Sequence, residues 1–150
     1  MNKLYKFFFV IVITVLTASC ASSPSSNPNS AKDYFNRGNA YSDKGDYDHA
    51  ISDYTQAISL DSNYVFAYNN RGLAYHEKKD YDRAISDYTQ AISLDPNLAG
   101  AYYNRGNAHY EKEDYDSAIS DYTKVIRLYP NDAEAKANLE KAKQAKAKKK

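Results

Sequence analysis

This 150-residue chain contains three histidines and three acidic clusters, and side chains of both kinds can bind metal ions. His76 stands beside Glu77 and near Glu111, but no second histidine shares its face at helical spacing, so we predict no metal site. Each acidic cluster reads Asp-Tyr-Asp and lacks the loop spacing and the glycine of a calcium site. We therefore expect the first residue of each cluster to cap a helix: Asp46, Asp80 and Asp114.

Motifs that support catalysis or cofactor binding are missing from the sequence. There is no glycine-rich phosphate loop, no paired-cysteine metal motif and no nucleophile elbow. No set of an acid, a base and a nucleophile emerges from the pattern. We therefore expect a protein that is not an enzyme and that binds no cofactor.

An internal repeat shows which elements position these side chains. The segment AISDYTQAISLD at residues 50–61 recurs unchanged at 84–95, and a diverged copy, AISDYTKVIRLY, occupies 118–129. A fixed period of 34 residues is typical of stacked helical repeats. The chain thus divides into three units, each with a first helix A and a second helix B: residues 31–64, 65–98 and 99–132.

The same residue types recur at fixed positions of every unit. Aromatic residues hold the fourth and twenty-fourth positions, glycine the eighth and alanine the twentieth. Proline holds the thirty-second position of the second and third units. This spacing resembles the tetratricopeptide repeat family over residues 31–132. The resemblance implies an all-α, right-handed α-solenoid of three helix-turn-helix repeats that presents a peptide-binding surface, with residues 133–150 as a Lys-rich capping helix and tail.

Glycine occurs at two kinds of position that constrain the backbone. One kind lies inside helix A, where glycine is unfavourable and indicates that a neighbouring helix approaches closely: Gly38, Gly72 and Gly106. We expect the alanine at the twentieth position of each unit to be the small counterpart. The other kind is the turn between helices A and B, where Gly45 can adopt a left-handed conformation. Lys79 and Glu113 replace this glycine, which predicts slightly strained turns.

The seventh position departs from the family pattern. The family usually carries leucine there, whereas this chain carries arginine: Arg37, Arg71 and Arg105. An aspartate follows 16 residues later in helix B of the same unit: Asp53, Asp87 and Asp121. We predict that each arginine pairs with the aspartate of its own unit, with two parallel hydrogen bonds possible in each pair.

The resemblance also implies which residues contact a partner. Family members bind ligands through the second, fifth, ninth, twelfth and thirteenth positions of helix A. In this chain, these positions give the predicted contact residues: Phe35, Asn39, Asp43, Phe66, Asn69, Leu73, His76, Glu77, Tyr103, Asn107, Tyr110 and Glu111. Lys32, Ser42 and Gly100 occupy the remaining positions of the same surface.

The chemistry of these residues suits an extended peptide. Amides can bond its backbone and aromatic rings can accept its side chains. The acidic row Asp43, Glu77 and Glu111 favours a segment that carries Lys or Arg. Phe35 stands where members that clamp a terminal carboxylate carry lysine, so that mode is not expected. The alternative is that these residues only cover the inner face of the array.

The N-terminus has the pattern of an export signal. Lys3 and Lys6 precede an apolar run over residues 7–16 that is too short to span a bilayer. The sequence Thr-Ala-Ser before Cys20, the only cysteine, resembles a bacterial lipoprotein cleavage box, although the family prefers leucine where this chain has threonine. The resemblance implies a signal peptide at residues 1–19, a lipid on Cys20 and a flexible tether over 20–30. An ordinary cleaved signal and an uncleaved anchor are the alternatives.

Together these observations predict a binding protein of the bacterial cell envelope. Ala21 after Cys20 implies the periplasmic face of the outer membrane, by resemblance to Gram-negative lipoproteins. We predict a non-catalytic scaffold that binds an extended peptide of a partner protein and no nucleic acid. The alternative is a lipid-anchored spacer whose tail contacts an anionic polymer, since residues 133–150 have a net charge of +5 and residues 31–132 one of −6. The sequence does not determine the oligomeric state.

Overall fold

A computed structural model describes residues 29–149 of the chain, which contain seven helices and no strand. The predicted all-α fold is therefore confirmed. The helices are α1 (Ala31–Ser42), α2 (Tyr47–Leu60), α3 (Val65–Glu77), α4 (Tyr81–Leu94), α5 (Ala99–Glu111), α6 (Tyr115–Leu128) and α7 (Ala133–Lys148). None of them is long and apolar enough to cross a membrane. The predicted signal peptide, Cys20 and most of the tether lie outside the described residues.

The helices stack in chain order. The closest packing joins α1 to α2, α3 to α4 and α5 to α6, which are helices A and B of one unit. Each helix B also packs against the following helix A, and α1 touches α3 as α3 touches α5. Because each unit contacts mainly its neighbours, the array is an α-solenoid.

One buried tyrosine forms the centre of each unit. Tyr54, Tyr88 and Tyr122 are at most 2% exposed and pack against alanines that are fully buried. A Cβ atom added to Gly38 would lie 2.7 Å from the Tyr54 ring, and Gly72 and Gly106 meet Tyr88 and Tyr122 in the same way. The close approach predicted at these glycines is confirmed. The alanines predicted as small counterparts are fully buried beside these tyrosines, and the carbonyl oxygen of Ala84 would lie 3.2 Å from a Cβ atom at Gly72.

The turns and helix starts follow the local sequence. Gly45 has φ of +75°, and Lys79 and Glu113 adopt the same left-handed conformation with φ of 62° and 58°. Non-glycine residues pay a steric cost in this conformation, as predicted. The side chains of Asp46, Asp80 and Asp114 accept hydrogen bonds from backbone N–H groups three residues later, which confirms their capping role.

The predicted Arg–Asp pairs form in all three units. Arg71 donates from Nε and Nη2 to the two carboxylate oxygens of Asp87, both at 2.7 Å. The other two pairs have the same bidentate geometry at 2.6–2.8 Å, and the aspartates are only 3–6% exposed. The hydrogen bond to the aspartate raises the pKa of each arginine above its usual value: Arg37, Arg71 and Arg105.

Polar contacts also join successive units. Arg71 and Arg105 donate from Nη1 to a threonine of the preceding helix B at 3.0 Å. Lysines near the end of helix A form ion pairs with aspartates of the preceding unit: Lys78 with Asp48, Lys112 with Asp82 and Lys146 with Asp116. These contacts repeat with the period of the sequence, so every junction between units carries the same kind of ion pair.

The last helix, α7, continues the period. It begins at Ala133, which lies 34 residues after the start of α5, and it packs against α6. Ala135 and Ala142 are fully buried, and Leu139 packs against the cluster around Tyr122. These residues form the apolar side of the helix, which faces α6. It occupies the place of helix A of a further unit.

Candidate functional site

A row of asparagine side chains crosses the four helices α1, α3, α5 and α7. Successive helices are joined by amide hydrogen bonds at 3.0–3.5 Å, which we call the amide ladder: Asn70 to Asn39, Asn104 to Asn69 and Asn138 to Asn107. The ladder lies on the surface formed by the A helices, where the sequence placed its candidate binding residues. Asn39 and Asn69 are linked through Asn70, whereas Asn107 belongs to the separate bond between α5 and α7.

Half of this ladder was missed by the sequence analysis. Asn70, Asn104 and Asn138 share the sixth position of the second unit, the third unit and α7. The repetition of asparagine at that position was a signal available in the sequence. Its meaning depends on how far apart neighbouring A helices lie, which the sequence pattern does not give.

Two of the three central tyrosines support the ladder. The hydroxyl of Tyr54 donates to Asn39 at 2.8 Å, and that of Tyr122 donates to Asn107 at 2.7 Å. Burial raises the pKa of Tyr54 to about 12, and burial also raises the pKa of Tyr122. Both hydroxyls therefore stay protonated and remain donors at neutral pH.

The middle unit breaks this pattern. Leu73 stands where the first and third units carry Asn39 and Asn107. The hydroxyl of Tyr88, a residue that is 0% exposed, consequently has no hydrogen-bond partner within residues 29–149. The ladder between α3 and α5 passes instead through Asn69, one helical turn earlier.

A cavity of about 160 Å³ lies beside His76 of the middle unit. It is bounded by α3, α5, α6 and α7. Neither ring nitrogen of His76 has a hydrogen-bond partner within the described residues, although both are buried. The lining residues are His76, Asn107, Tyr110, Glu111, Tyr122, Asn138 and Lys141.

The predicted aromatic and apolar contact residues differ in their exposure to solvent. Phe66 is 56% exposed and Leu73 is 39% exposed, so both can contact a partner. Phe35 is half-buried, with its ring centroid 4.9 Å from that of Tyr64. Tyr103 is half-buried too, and its hydroxyl donates to Glu134 at 2.6 Å. The exposed apolar surface of the A helices is therefore concentrated on α3.

The three residues of the acidic row are exposed at the ends of α1, α3 and α5: Asp43, Glu77 and Glu111. None of them forms an ion pair with Lys or Arg among residues 29–149. The Nδ1 atom of His76 lies 3.9 Å from Glu77 Oε1. The row therefore presents uncompensated negative charge along the same surface as the ladder.

Residues 29–149 hold no group of three His, Cys, Asp or Glu side chains that could hold an ion. His109 packs inside the third unit, with Nδ1 3.2 Å from Asp114. Burial lowers the pKa of its imidazole below the usual value.

Comparison with protein families agrees with this architecture. A model described as TPR repeat matches residues 38–79 and 72–113, and a model described as Tetratricopeptide repeat matches residues 99–132. This chain belongs to the tetratricopeptide repeat family. A search of curated proteins gives no match.

Solved tetratricopeptide repeat (TPR) domains superpose closely on this TPR chain. The first TPR of Spaghetti (RPAP3), bound to the HSP90 peptide SRMEEVD, is 35% identical with a TM-score of 0.77, and the match covers 78% of this chain and 93% of that one. The second TPR domain of human RPAP3, in complex with the HSP70 peptide SGPTIEEVD, is 34% identical with a TM-score of 0.73 and coverages of 75% and 94%. The TPR2B domain of yeast Sti1, in complex with pHsp70, is 27% identical with a TM-score of 0.72. The match covers 76% of this chain and 96% of that one.

Proposed function

We propose that this protein is a non-catalytic scaffold that binds an extended peptide segment of a partner protein along its A helices. The observation that carries the proposal is the coincidence of three features on one surface: the amide ladder, the exposed Phe66 and Leu73, and the cavity beside His76. Similar domains hold peptides, as their structures with HSP90 and HSP70 peptides show for those proteins.

The charge of the surface favours a different peptide from those of the similar structures. The HSP90 and HSP70 peptides both end in Glu-Glu-Val-Asp. In this chain Asp43, Glu77 and Glu111 stand unpaired with Lys or Arg among the described residues and would repel such a sequence. We therefore infer a partner segment that carries Lys or Arg together with aliphatic or aromatic residues.

A peptide library tests this function directly. The full chain would be incubated with a positional library of nonapeptides that are acetylated and amidated, so that their termini carry no charge. We expect selection of basic and apolar residues at neighbouring positions, and affinity that falls with added salt. Selection of acidic sequences would contradict the proposed character of the partner.

Charge reversal then locates the surface. Glu77→Lys combined with Glu111→Lys should slow association with the selected peptide and reduce its salt dependence, because rim charges act mainly on the association rate. Glu140→Lys is the matched control, because Glu140 is an exposed residue of α7 that pairs with Lys143. Equal effects of the control and the double variant would show that the peptide does not lie along the acidic row.

We further propose that the scaffold is lipid-anchored at Cys20 to the bacterial outer membrane, facing the periplasm. The support is the sequence of residues 1–30: a basic start, a short apolar run, small residues before the only cysteine, and a tether of Ser, Pro and Asn. Cys20→Ala should leave an unprocessed precursor and abolish lipid labelling. Normal processing and labelling of that variant would exclude the anchor.

The alternative function, a spacer whose tail contacts an anionic polymer, has less support. Three lysines of residues 133–150 form ion pairs within the domain: Lys143 with Glu140, Lys146 with Asp116 and Lys149 with Glu113. Lys141 lies over the ring of Tyr110, with Nζ 4.6 Å from the ring centroid. These contacts favour a capping role for the tail.

A further inference from the structure

All buried side-chain polar atoms that lack a hydrogen-bond partner within residues 29–149 belong to the middle unit. They are Nδ1 and Nε2 of His76 and the hydroxyl oxygen of Tyr88. Leaving a buried polar group unsatisfied is unfavourable, and most such groups in folded proteins are paired. Their concentration in one unit of a regular array indicates a feature that the other two units do not share.

The comparison between units identifies the origin of the unpaired tyrosine. Tyr54 and Tyr122 donate to the asparagine at the ninth position of their own units at 2.8 Å and 2.7 Å. Leu73 occupies the ninth position of the middle unit and cannot accept a hydrogen bond. One residue therefore removes the partner of the hydroxyl and, at 39% exposure, adds apolar surface beside it.

The charged groups around His76 are mostly acidic. Glu111 lines the same cavity as His76, and Glu77 Oε1 lies 3.9 Å from His76 Nδ1. Neither glutamate pairs with Lys or Arg among residues 29–149. Among the described residues, the Lys or Arg side chain that lines the cavity is Lys141, whose ammonium group lies over the Tyr110 ring. The two carboxylates outnumber it, so the field at the cavity favours a positive ligand.

An apolar strip leads to this cavity along α3. Phe66 and Leu73 are separated by seven residues, which is two helical turns, and both are exposed. His76 follows Leu73 by three residues and therefore lies on the same side of the helix. A peptide that crosses α3 thus meets apolar surface first and the polar cavity next.

We propose that the partner peptide is anchored where the middle unit meets the third unit, and that the cavity beside His76 and Glu111 takes one Lys or Arg side chain. A neighbouring aliphatic or aromatic residue of the peptide lies against Phe66 and Leu73. The imidazole of His76, whose nitrogens have no hydrogen-bond partner within residues 29–149, forms part of the wall that the basic group meets. This inference rests on the proposed function and assigns its specificity to residues of the middle and third units.

Two substitutions that change the charge of the cavity in opposite directions test which ligand it takes. The probe is the capped peptide selected from the library, compared with the same peptide carrying glutamine at its basic position. Glu111→Gln should weaken binding of the basic peptide by about two- to fivefold, as for a partly exposed ion pair, and Lys141→Gln should tighten it by a similar factor. A cavity that takes a carboxylate would show the reverse signs for both variants.

Leu73→Asn tests the origin of the site. It restores the amide to which Tyr54 and Tyr122 donate, so we expect a higher midpoint of thermal unfolding without peptide. It also removes the apolar side chain that contacts the peptide, so we expect about tenfold weaker peptide binding. Asn107→Leu is the matched variant in the third unit. It removes the partner of Tyr122 and should lower the unfolding midpoint.

The outcomes separate this inference from the proposed function. If the wild-type chain binds no library peptide, the proposed function fails and this inference fails with it. If peptides bind but neither Glu111→Gln nor Leu73→Asn changes their affinity or the preference for a basic residue, the groove is correct and the anchor lies elsewhere. Selection of acidic peptides by the wild-type chain would also overturn the inference.

Discussion

At the scale of single residues, the arginine at the seventh position replaces an apolar packing residue of the family by an ion pair. Each aspartate partner is buried, and each arginine also lies near the ring of a tyrosine three residues earlier, at 5.6–5.7 Å from the ring centroid. Buried ion pairs are weak evidence for stability, because desolvation offsets much of the attraction. Removing one partner, however, leaves an uncompensated charge inside the protein.

The pair of Arg71 and Asp87 in the middle unit gives a prediction about stability. Asp87→Leu should lower the free energy of unfolding by about 3–5 kcal/mol, whereas Arg71→Met combined with Asp87→Leu should recover most of that loss. Urea unfolding of the two single variants and the double variant measures the coupling energy. The exposed pair Lys143 and Glu140 is the control and should couple by about 0–1 kcal/mol. Additive effects at Arg71 and Asp87 would mean that the two residues do not interact.

A second residue-scale prediction concerns His109 and pH. Burial lowers the pKa of His109 in the folded state, opposed by Asp121 and Asp114 and assisted by Arg105 and Lys112. The unfolded chain therefore binds a proton at this residue near its ordinary pKa of about 6.5, before the folded chain does. The stability associated with neutral His109 is complete above that pH and decreases as the pH falls below it.

His109→Tyr should remove this contribution, because tyrosine occupies the equivalent position of the other units as Tyr41 and Tyr75. We expect the unfolding midpoint of the variant to fall less than that of the wild-type chain between pH 7 and pH 5 (roughly one unit on either side of the histidine pKa). Parallel urea titrations at the two values measure the difference. An identical decrease for both proteins would show that His109 titrates alike in the folded and unfolded states.

At the scale of the elements, the packing of helix A on helix B depends on a glycine that lies under an aromatic ring. A Cβ atom at Gly72 would lie 2.8 Å from Tyr88 Cε1 and 3.2 Å from the carbonyl oxygen of Ala84. Both neighbours belong to α4, and the tyrosine is fully buried, so neither can move without separating the two helices. The helix tolerates an unfavourable residue because the pair of helices needs the close contact.

Two glycines of the A helices should therefore respond in opposite directions to alanine. Gly72→Ala should lower the free energy of unfolding, because overpacking costs about 1–3 kcal/mol and exceeds the gain of about 1 kcal/mol in helix propensity. Gly100→Ala is the matched control, since nothing lies within 4 Å of the added Cβ atom, and it should stabilise the chain. Thermal unfolding of both variants measures these changes in stability. Stabilisation by Gly72→Ala would mean that the helices separate at little cost.

At the scale of the whole molecule, stability arises from junctions between neighbouring units. Lys–Asp pairs, Arg–Thr bonds and the amide ladder each cross such a junction. The final junction is completed by α7, which adds Leu139 and Ala142 to the cluster around Tyr122 and Lys146 to Asp116. In an array of this kind, a missing terminal element destabilises its neighbour first.

Shortening the chain tests the role of α7. A chain that ends at residue 132 should have a lower unfolding midpoint, with faster amide hydrogen exchange in α5 and α6 than in α1 and α2. A chain that ends at Lys148 is the control, because it retains α7 and loses the contacts of Lys149 with Glu113 and the Tyr115 ring. Uniform loss of protection over all six remaining helices would show that the units unfold together.

The sequence by itself determined the features that act within one unit. The period of 34 residues predicted the helices, and the spacing of 16 residues predicted the Arg–Asp pairs, because both partners belong to one helix pair whose geometry is repeated three times. The aspartate caps and the left-handed turns at Lys79 and Glu113 were equally predictable, since they depend on backbone conformation over a few residues.

Only the tertiary structure decided the features that depend on distances between units. The amide ladder joins asparagines 31–35 residues apart, and its bonds form only because neighbouring A helices lie close together. The structure also showed that Phe35 packs inward while Phe66 is exposed, and that Leu73 leaves the Tyr88 hydroxyl unpaired. These properties follow from which side chains compete for the same space and the same hydrogen bond, and that competition involves residues from several helices at once.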